Sequence, residues 1–286
     1  MPIIDSHCHA WNHWPYLPEV PDPDHHGSVE TLLNQMDVNG VDSATIVCAQ
    51  IHRNRDNNDY VAAAVKKYPD RLNQFADVDS FWSDTYHTPG AANRLEMAAK
   101  KWPMKAFTHY VAGEDDGRWF NSQEGKDFFS VARDVGLIAS IAMGPHHQNE
   151  IRKVAESFPE VPILCHHMSA LRSYGDDAQS MLDNVTESAK LPNMHLKLSG
   201  FHYLCQPERV WDFPYTETHW VYEACYEAFG TRLCWGSDFP VVKKAMTHLQ
   251  SLEAFRSHLT FISDEDREAI QGGTLANLLA NARTIT

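Results

Sequence analysis

Eight short apolar runs alternate with eight amphipathic helical patterns along the chain, and this alternation constrains the fold more than any other feature. The runs fall at residues 3–5, 43–50, 72–79, 104–110, 137–143, 162–168, 195–200 and 233–239. Their apolar residues are nearly continuous, as in parallel strands buried on both faces. The helical patterns fall at 29–39, 59–68, 91–101, 125–135, 149–158, 179–190, 217–229 and 249–258. In the first of these, Val29, Leu32, Leu33 and Met36 share one face, with Ser28 placed as N-cap. Gly40, Gly136 and Gly230 each follow a helical stretch and suit a left-handed C-cap. Strand–helix alternation of this kind predicts an α/β protein, a (β/α)8 TIM barrel, with a doubly wound open sheet as the alternative. No repeat of fixed period and no shift in composition marks a boundary, so residues 1–286 read as a single domain. The Pro-rich stretch 11–27 cannot be helical and reads as a lid loop over the barrel mouth.

Composition excludes several functions. The formal net charge of −14 argues against non-specific binding to nucleic acid or an anionic membrane and leaves a small molecule as the expected partner. The longest apolar run is six residues, 60–65, against about 20 for a membrane helix. The opening MPIIDSH lacks the basic start and apolar stretch of a signal peptide, which predicts a cytoplasmic enzyme. Six cysteines without a C-x-x-C pair read as buried free thiols. Assembly as a homo-oligomer is compatible with all of this.

The 17 histidines are the unusual feature, and three local patterns concentrate the chemistry at the ends of strands, where barrel enzymes keep their active sites. Asp5-Ser6-His7-Cys8-His9 closes the first run. Residues i and i+2 of a strand point the same way, so His7 and His9 project together and can share a divalent metal. Pro162-Ile163-Leu164-Cys165-His166-His167 ends in paired histidines, of which strand parity allows one to point inward; His166 is opposite in sense to Cys165. Trp235-Gly236-Ser237-Asp238-Phe239-Pro240 closes the last run with a carboxylate that is a metal ligand, a general base, or a helix N-cap. Together these make a three-histidine, one-aspartate set with room for a water, whose pKa a bound divalent ion lowers from 15.7 towards about 7.

The same residues carry a family resemblance. D-x-H-x-H at 5–9, ILCHH at 163–167, NMHLKLSG at 193–200 and FG-x-x-R-x-x-W-GSDFP around 229–240 resemble the amidohydrolase-related family, amidohydrolase 2, over essentially the whole chain. The branch most similar comprises sugar-lactone and pyrone-dicarboxylate lactonases; other branches are decarboxylases and hydratases. The resemblance implies that His7, His9, His166 and Asp238 hold one divalent metal, zinc first and manganese or iron as alternatives, with Asp238 as general base. It aligns His166 rather than His167, and it matches Lys197 to a lysine common among the lactonases. A substrate-holding arginine usual on the fourth strand is missing; Lys105 and His109 stand there instead. The fifth strand offers no histidine or lysine for a second metal. Some relatives keep the ligand pattern and work without metal. The expected activity is hydrolysis of a lactone, the alternatives being a decarboxylase on the same site and a non-catalytic metal-binding protein.

Around this set, Arg53, Arg55, His109, His202 and Lys197 are candidates for binding substrate. His52, Arg53 and Arg55 follow the second strand, and arginine's planar fork suits a carboxylate. His202 and Tyr203 follow the seventh strand and border the same face. Trp11, Trp14 and Tyr16 line a ring-binding pocket or anchor the lid. His13, His25, His26, His146 and His147 read as loop residues, and His219, His248 and His258 as surface or packing residues.

Overall fold

A computed structural model describes residues 1–284. Eight parallel strands pair in chain order: β1 Ile4–Cys8, β2 Ser43–Val47, β3 Leu72–Asp77, β4 Met104–Tyr110, β5 Ile138–Ala142, β6 Ile163–Cys165, β7 Met194–Leu198 and β8 Leu233–Trp235. The helices between and after them are α1 Val29–Asn39, α2 Asn57–Lys67, α3 Ala91–Lys101, α4 Gln123–Val135, α5 Gln148–Ser157, α6 Ala178–Glu187, α7 His219–Phe229 and α8 His248–Arg256. Short α9 Asp264–Glu268 and α10 Thr274–Asn281 follow. The result is a (β/α)8 TIM barrel. Its seam closes just beyond β8, where Asp238 N–H donates to His7 O at 2.7 Å and His9 N–H to Phe239 O at 2.6 Å.

The helices begin and end for local reasons. Ser28 Oγ accepts from Thr31 N–H at 3.2 Å, and Gly40 ends α1 in the left-handed region with its N–H on Met36 O. Gly136 ends α4 in the same way. Gly230 departs from the expected cap: its φ is positive, but its ψ of −130° is far from a left-handed helical turn.

Ile4, Val47, Phe75, Ala106, Ile138, Leu164 and Cys234 fill the barrel interior, and Leu275 of α10 packs against them. The alternate residues of each strand, such as Ile46, Phe107, Ile141, Cys165, Leu196 and Leu233, pack outward in the larger core with the helices. β1 departs from this alternation. Asp5 pairs with Ala44 and Cys8 with Ile46, three steps on one strand against two on the other. This β-bulge shifts the parity of β1, so that Ile4 points inward near one end and His7 and His9 point inward at the other.

All six cysteines are buried and free. Segment 11–27 packs through Trp11 and Trp14 onto Ala49, Ile51 and Val241. Asn54, fully buried, grips it by donating to His13 O at 2.8 Å. No helix among the described residues is long and apolar enough to cross a membrane.

Candidate active site

Four ligand atoms converge where the barrel seam closes. His7 Nε2 lies 3.3 Å from His9 Nε2, and each lies 3.6 Å from Asp238 Oδ1. His167 Nε2 lies 3.8 Å from the same oxygen. One atom from each of His7, His167 and Asp238 falls within 4.8 Å of the others. The elements around them explain this placement. The bulge turns His7 and His9 inward, and the seam hydrogen bonds fix Asp238 opposite them. Gly236 allows the two strands to approach: a Cβ there would lie 2.7 Å from His7 Cβ. Asp5 braces the seam from below, its Oδ1 accepting from His7 N–H at 3.0 Å and Ser237 N–H at 2.9 Å.

The paired histidines divide differently from the expectation. His166 does point inward, as parity requires, but its Nε2 is engaged with Ser140 Oγ at 2.7 Å. His167 is the one that reaches Asp238. The physical reason is backbone: β6 ends at Cys165, and His167, Met168, Ser169 and Ala170 all have φ between 44° and 58°. Strand parity does not apply across such a left-handed turn, which swings His167 over the site. Asp238 itself has φ 58°, so both of these site residues sit in a region that L-residues rarely adopt.

The far side of each ring is anchored. His9 Nδ1–H donates to Val47 O at 2.7 Å, and His167 Nδ1 pairs with Ser199 Oγ at 2.9 Å. Such outer contacts orient each ring, and for His9, whose partner is a carbonyl, they leave Nε2 as the lone pair. Lys197, fully buried, donates to Ser140 Oγ at 2.8 Å and lies 3.3 Å from His7 Nδ1. Burial pushes its pKa down to about 7. Burial, followed by the Lys197 charge, also drives His7 and His166 well below the usual histidine range.

Asp238 is 1% exposed. Burial works against its charge, yet His167, His9 and the Tyr203 hydroxyl together hold its carboxyl below the ordinary value. Tyr203 OH donates to Asp238 Oδ2 at 2.7 Å, which leaves Oδ1 facing the imidazoles. Gly200, at φ 65°, makes room for that ring; any side chain there would overlap it.

The remaining candidates are dispersed. His202 packs on the Tyr203 ring at 4.1 Å, and it is Tyr203 that contacts the carboxylate. His109 is a correction. In β4 the inward residues are Ala106, Thr108 and Tyr110, so His109 points out of the barrel, donating to Val78 O or accepting from His87 and stacking on Trp119. Lys105 donates to Ala282 O, away from the mouth. Arg53 is exposed beside segment 11–27 and donates to His13 Nε2 at 3.2 Å. Arg55 is exposed and makes no hydrogen bond or ion pair among the described residues. His248 is a packing residue, buried with its Nε2 3.7 Å from Asp5 Oδ2.

Sequence reasoning gave no site role to Ser140, placed Asp5 only within its motif, and treated His167 as the partner of His166 and a substitute base should Asp238 prove structural. The small polar Ser140 inside an otherwise apolar fifth strand was a readable signal. The bulge and the left-handed turn had none.

Comparison with known proteins agrees with the fold. The profile of a family described as Amidohydrolase matches residues 4–279. No curated protein matched the chain. Among solved structures, a probable 2-pyrone-4,6-dicarboxylic acid hydrolase from Acinetobacter baumannii, with citric acid bound, is 18% identical. It superposes with a TM-score of 0.76 over 98% of this chain and 100% of that one. An amidohydrolase from Burkholderia multivorans with bound zinc is also 18% identical, at a TM-score of 0.77 over 98% and 99% of the two chains. A 2,6-dihydroxybenzoate decarboxylase from Rhizobium is 14% identical, with a TM-score of 0.67 over 98% of each chain. At these identities the likeness is one of fold.

Proposed function

The chain belongs to the amidohydrolase family, and from that premise we propose that it is a hydrolase that opens a lactone by attack of a water, assisted by one divalent metal, zinc by preference. The observation that carries this reading is the convergence of three imidazole Nε2 atoms and one carboxylate oxygen at the seam, each held from behind. Imidazole and carboxylate ligands suit zinc. His7, His9, His167 and Asp238 fit the ion, because His9 Nδ1–H on Val47 O leaves that ring's Nε2 unprotonated and turned inward. When bound, the ion lowers the pKa of a water and polarises a carbonyl.

The chain's own residues do the rest. Asp238, ionised and fixed through Oδ2 by Tyr203, takes the proton of the attacking water and returns it to the ring oxygen that leaves. Burial of His7, His9 and Asp238 limits bulk water in this exchange. Lys197 and Ser140 hold His7 and His166 from below.

Asp238→Asn keeps the shape and removes the base. General acid–base catalysis contributes about 10²–10⁴-fold, and kcat on the responsive substrate falls by at least that order with the fold intact. The assay is a panel of sugar lactones and pyrone carboxylates. Hydrolysis releases acid without gas, whereas carbon dioxide release identifies the decarboxylase. Near-normal turnover in the Asn variant removes Asp238 from the mechanism.

A further inference from the structure

A cavity of about 480 Å³ lies outside the metal-ligand cluster, between segment 11–27 and the loop after β2. Trp14, Tyr16, His13, His52, Arg53 and Glu19 are among its lining. Two features make it more than a surface cleft. The first is an aromatic wall. Trp14 and Tyr16 stand edge to face at 5.4 Å. Tyr16 in turn meets Trp11 at 5.6 Å, and Trp11 stacks on His9 at 4.7 Å with the rings 14° apart. The wall of the cavity is thus continuous with a residue of the catalytic cluster.

The second feature is an arginine held in place. Arg53 Nη1 donates to His13 Nε2 at 3.2 Å, and His13 Nδ1–H donates to Asp24 Oδ1 at 2.7 Å. That relay orients the guanidinium. His13 is itself clamped by Asn54, whose side chain bonds both its N–H and its carbonyl. The other N–H groups of Arg53 have no protein acceptor among the described residues. Lys244 Nζ, 4.4 Å from the Tyr16 ring centroid, adds a second cation beside the wall. Glu19 is the one acidic side chain in the lining, so the balance suits a single negative charge.

We propose that this cavity is a subsite for a small organic monocarboxylate with a flat ring, its carboxylate forked on Arg53 and its ring against Trp14 and Tyr16. The site does not depend on which reaction the seam cluster performs. Its ligand is the distal part of a substrate or a separate effector of the same chemistry.

The test uses the full chain and benzoate as probe, followed by calorimetry and tryptophan fluorescence, with benzamide as the uncharged control. Benzoate is expected to bind saturably and at least 10-fold more tightly than benzamide. Arg53→Gln removes that preference, and Arg53→Lys, a point charge without the fork, restores part of it. Asp238→Asn leaves benzoate affinity within about two-fold, which keeps failure at the seam separate from failure here. Trp14→Leu weakens both probes together. Absence of saturable binding, or benzoate affinity indifferent to Arg53→Gln, overturns the proposal. So does loss of binding in Asp238→Asn, which places the probe in the barrel mouth.

Discussion

Ala170 offers a test of the backbone argument in which the expected sign is opposite to habit. It ends the left-handed turn that aims His167, with φ 55°, and its methyl is exposed. A Cβ in that region costs roughly 1–2 kcal/mol, which Ala170→Gly removes. The substitution also frees the unfolded chain, a loss of about 0.4–1 kcal/mol. No buried contact is given up, so the net change is a gain of about 0.5–1 kcal/mol. At about 2.1 cal/mol/K per residue, the unfolding entropy of a 286-residue chain is near 0.6 kcal/mol/K, and the gain becomes a rise in Tm of about 1–2 °C. The control is Ala63→Gly, exposed in the middle of α2, which should lose about 1 kcal/mol and lower Tm by about 2 °C. Paired calorimetric scans compare the two. If both variants fall by the same amount, the left-handed turn is not a source of strain and the account of His167 built on it fails.

Three further outcomes follow from the geometry. His167→Ala should lower zinc occupancy at least 10-fold in equilibrium dialysis with elemental analysis, while His166→Ala retains most of it, because His166 Nε2 is spent on Ser140. Tyr203→Phe removes the 2.7 Å hydrogen bond to Asp238; a bond to a charged group is worth about 1.5–3 kcal/mol, so kcat should fall roughly 10- to 100-fold and Tm by no more than about 2–5 °C. Burial, with some help from Arg232, pushes His195 down to about 4, against about 6.5 unfolded. The unfolded chain therefore binds the extra proton between those values, and stability present above pH 6.5 is lost as pH falls towards 4, by about 2 kcal/mol at pH 5. Denaturant titrations of His195→Gln at pH 7 and pH 5 should show a correspondingly smaller loss, and an unchanged loss contradicts the assignment.

Much of this architecture was legible before any coordinates. The bounds of α1, α3 and β4 match the apolar patterns, because those segments alternate cleanly and are flanked by residues that stop them. β6 and β8 end earlier than their apolar runs, at Cys165 and Trp235, since hydropathy does not register the change of φ that begins at His167 or the glycine after β8. The site was legible as a place and less so as a set. His7, His9 and Asp238 meet as their spacing suggested. The exchange of His167 for His166 turns on four left-handed residues with no glycine among them to signal the turn. His109 looked like a mouth residue by position, and it takes the register of Ala106 and Tyr110 to show that it faces the helices. Arg53 lies in the cavity beside segment 11–27 rather than at the seam cluster because the loop after β2 folds against that segment, a long-range contact made through Asn54.

The seam where β8 meets β1 has one more consequence. His7 and His9 sit at the end of the first strand and Asp238 just beyond the last, and the hydrogen bonds that join these segments are made by His7, His9, Asp238 and Phe239 themselves. Asp238 follows His9 by 229 residues, so the first strand is completed only when this distant segment reaches it. Until then His7 and His9 lack the carboxylate that faces them. Under the proposed function, a split of the chain between any two strands should therefore yield fragments that are silent apart and active only when they reassemble.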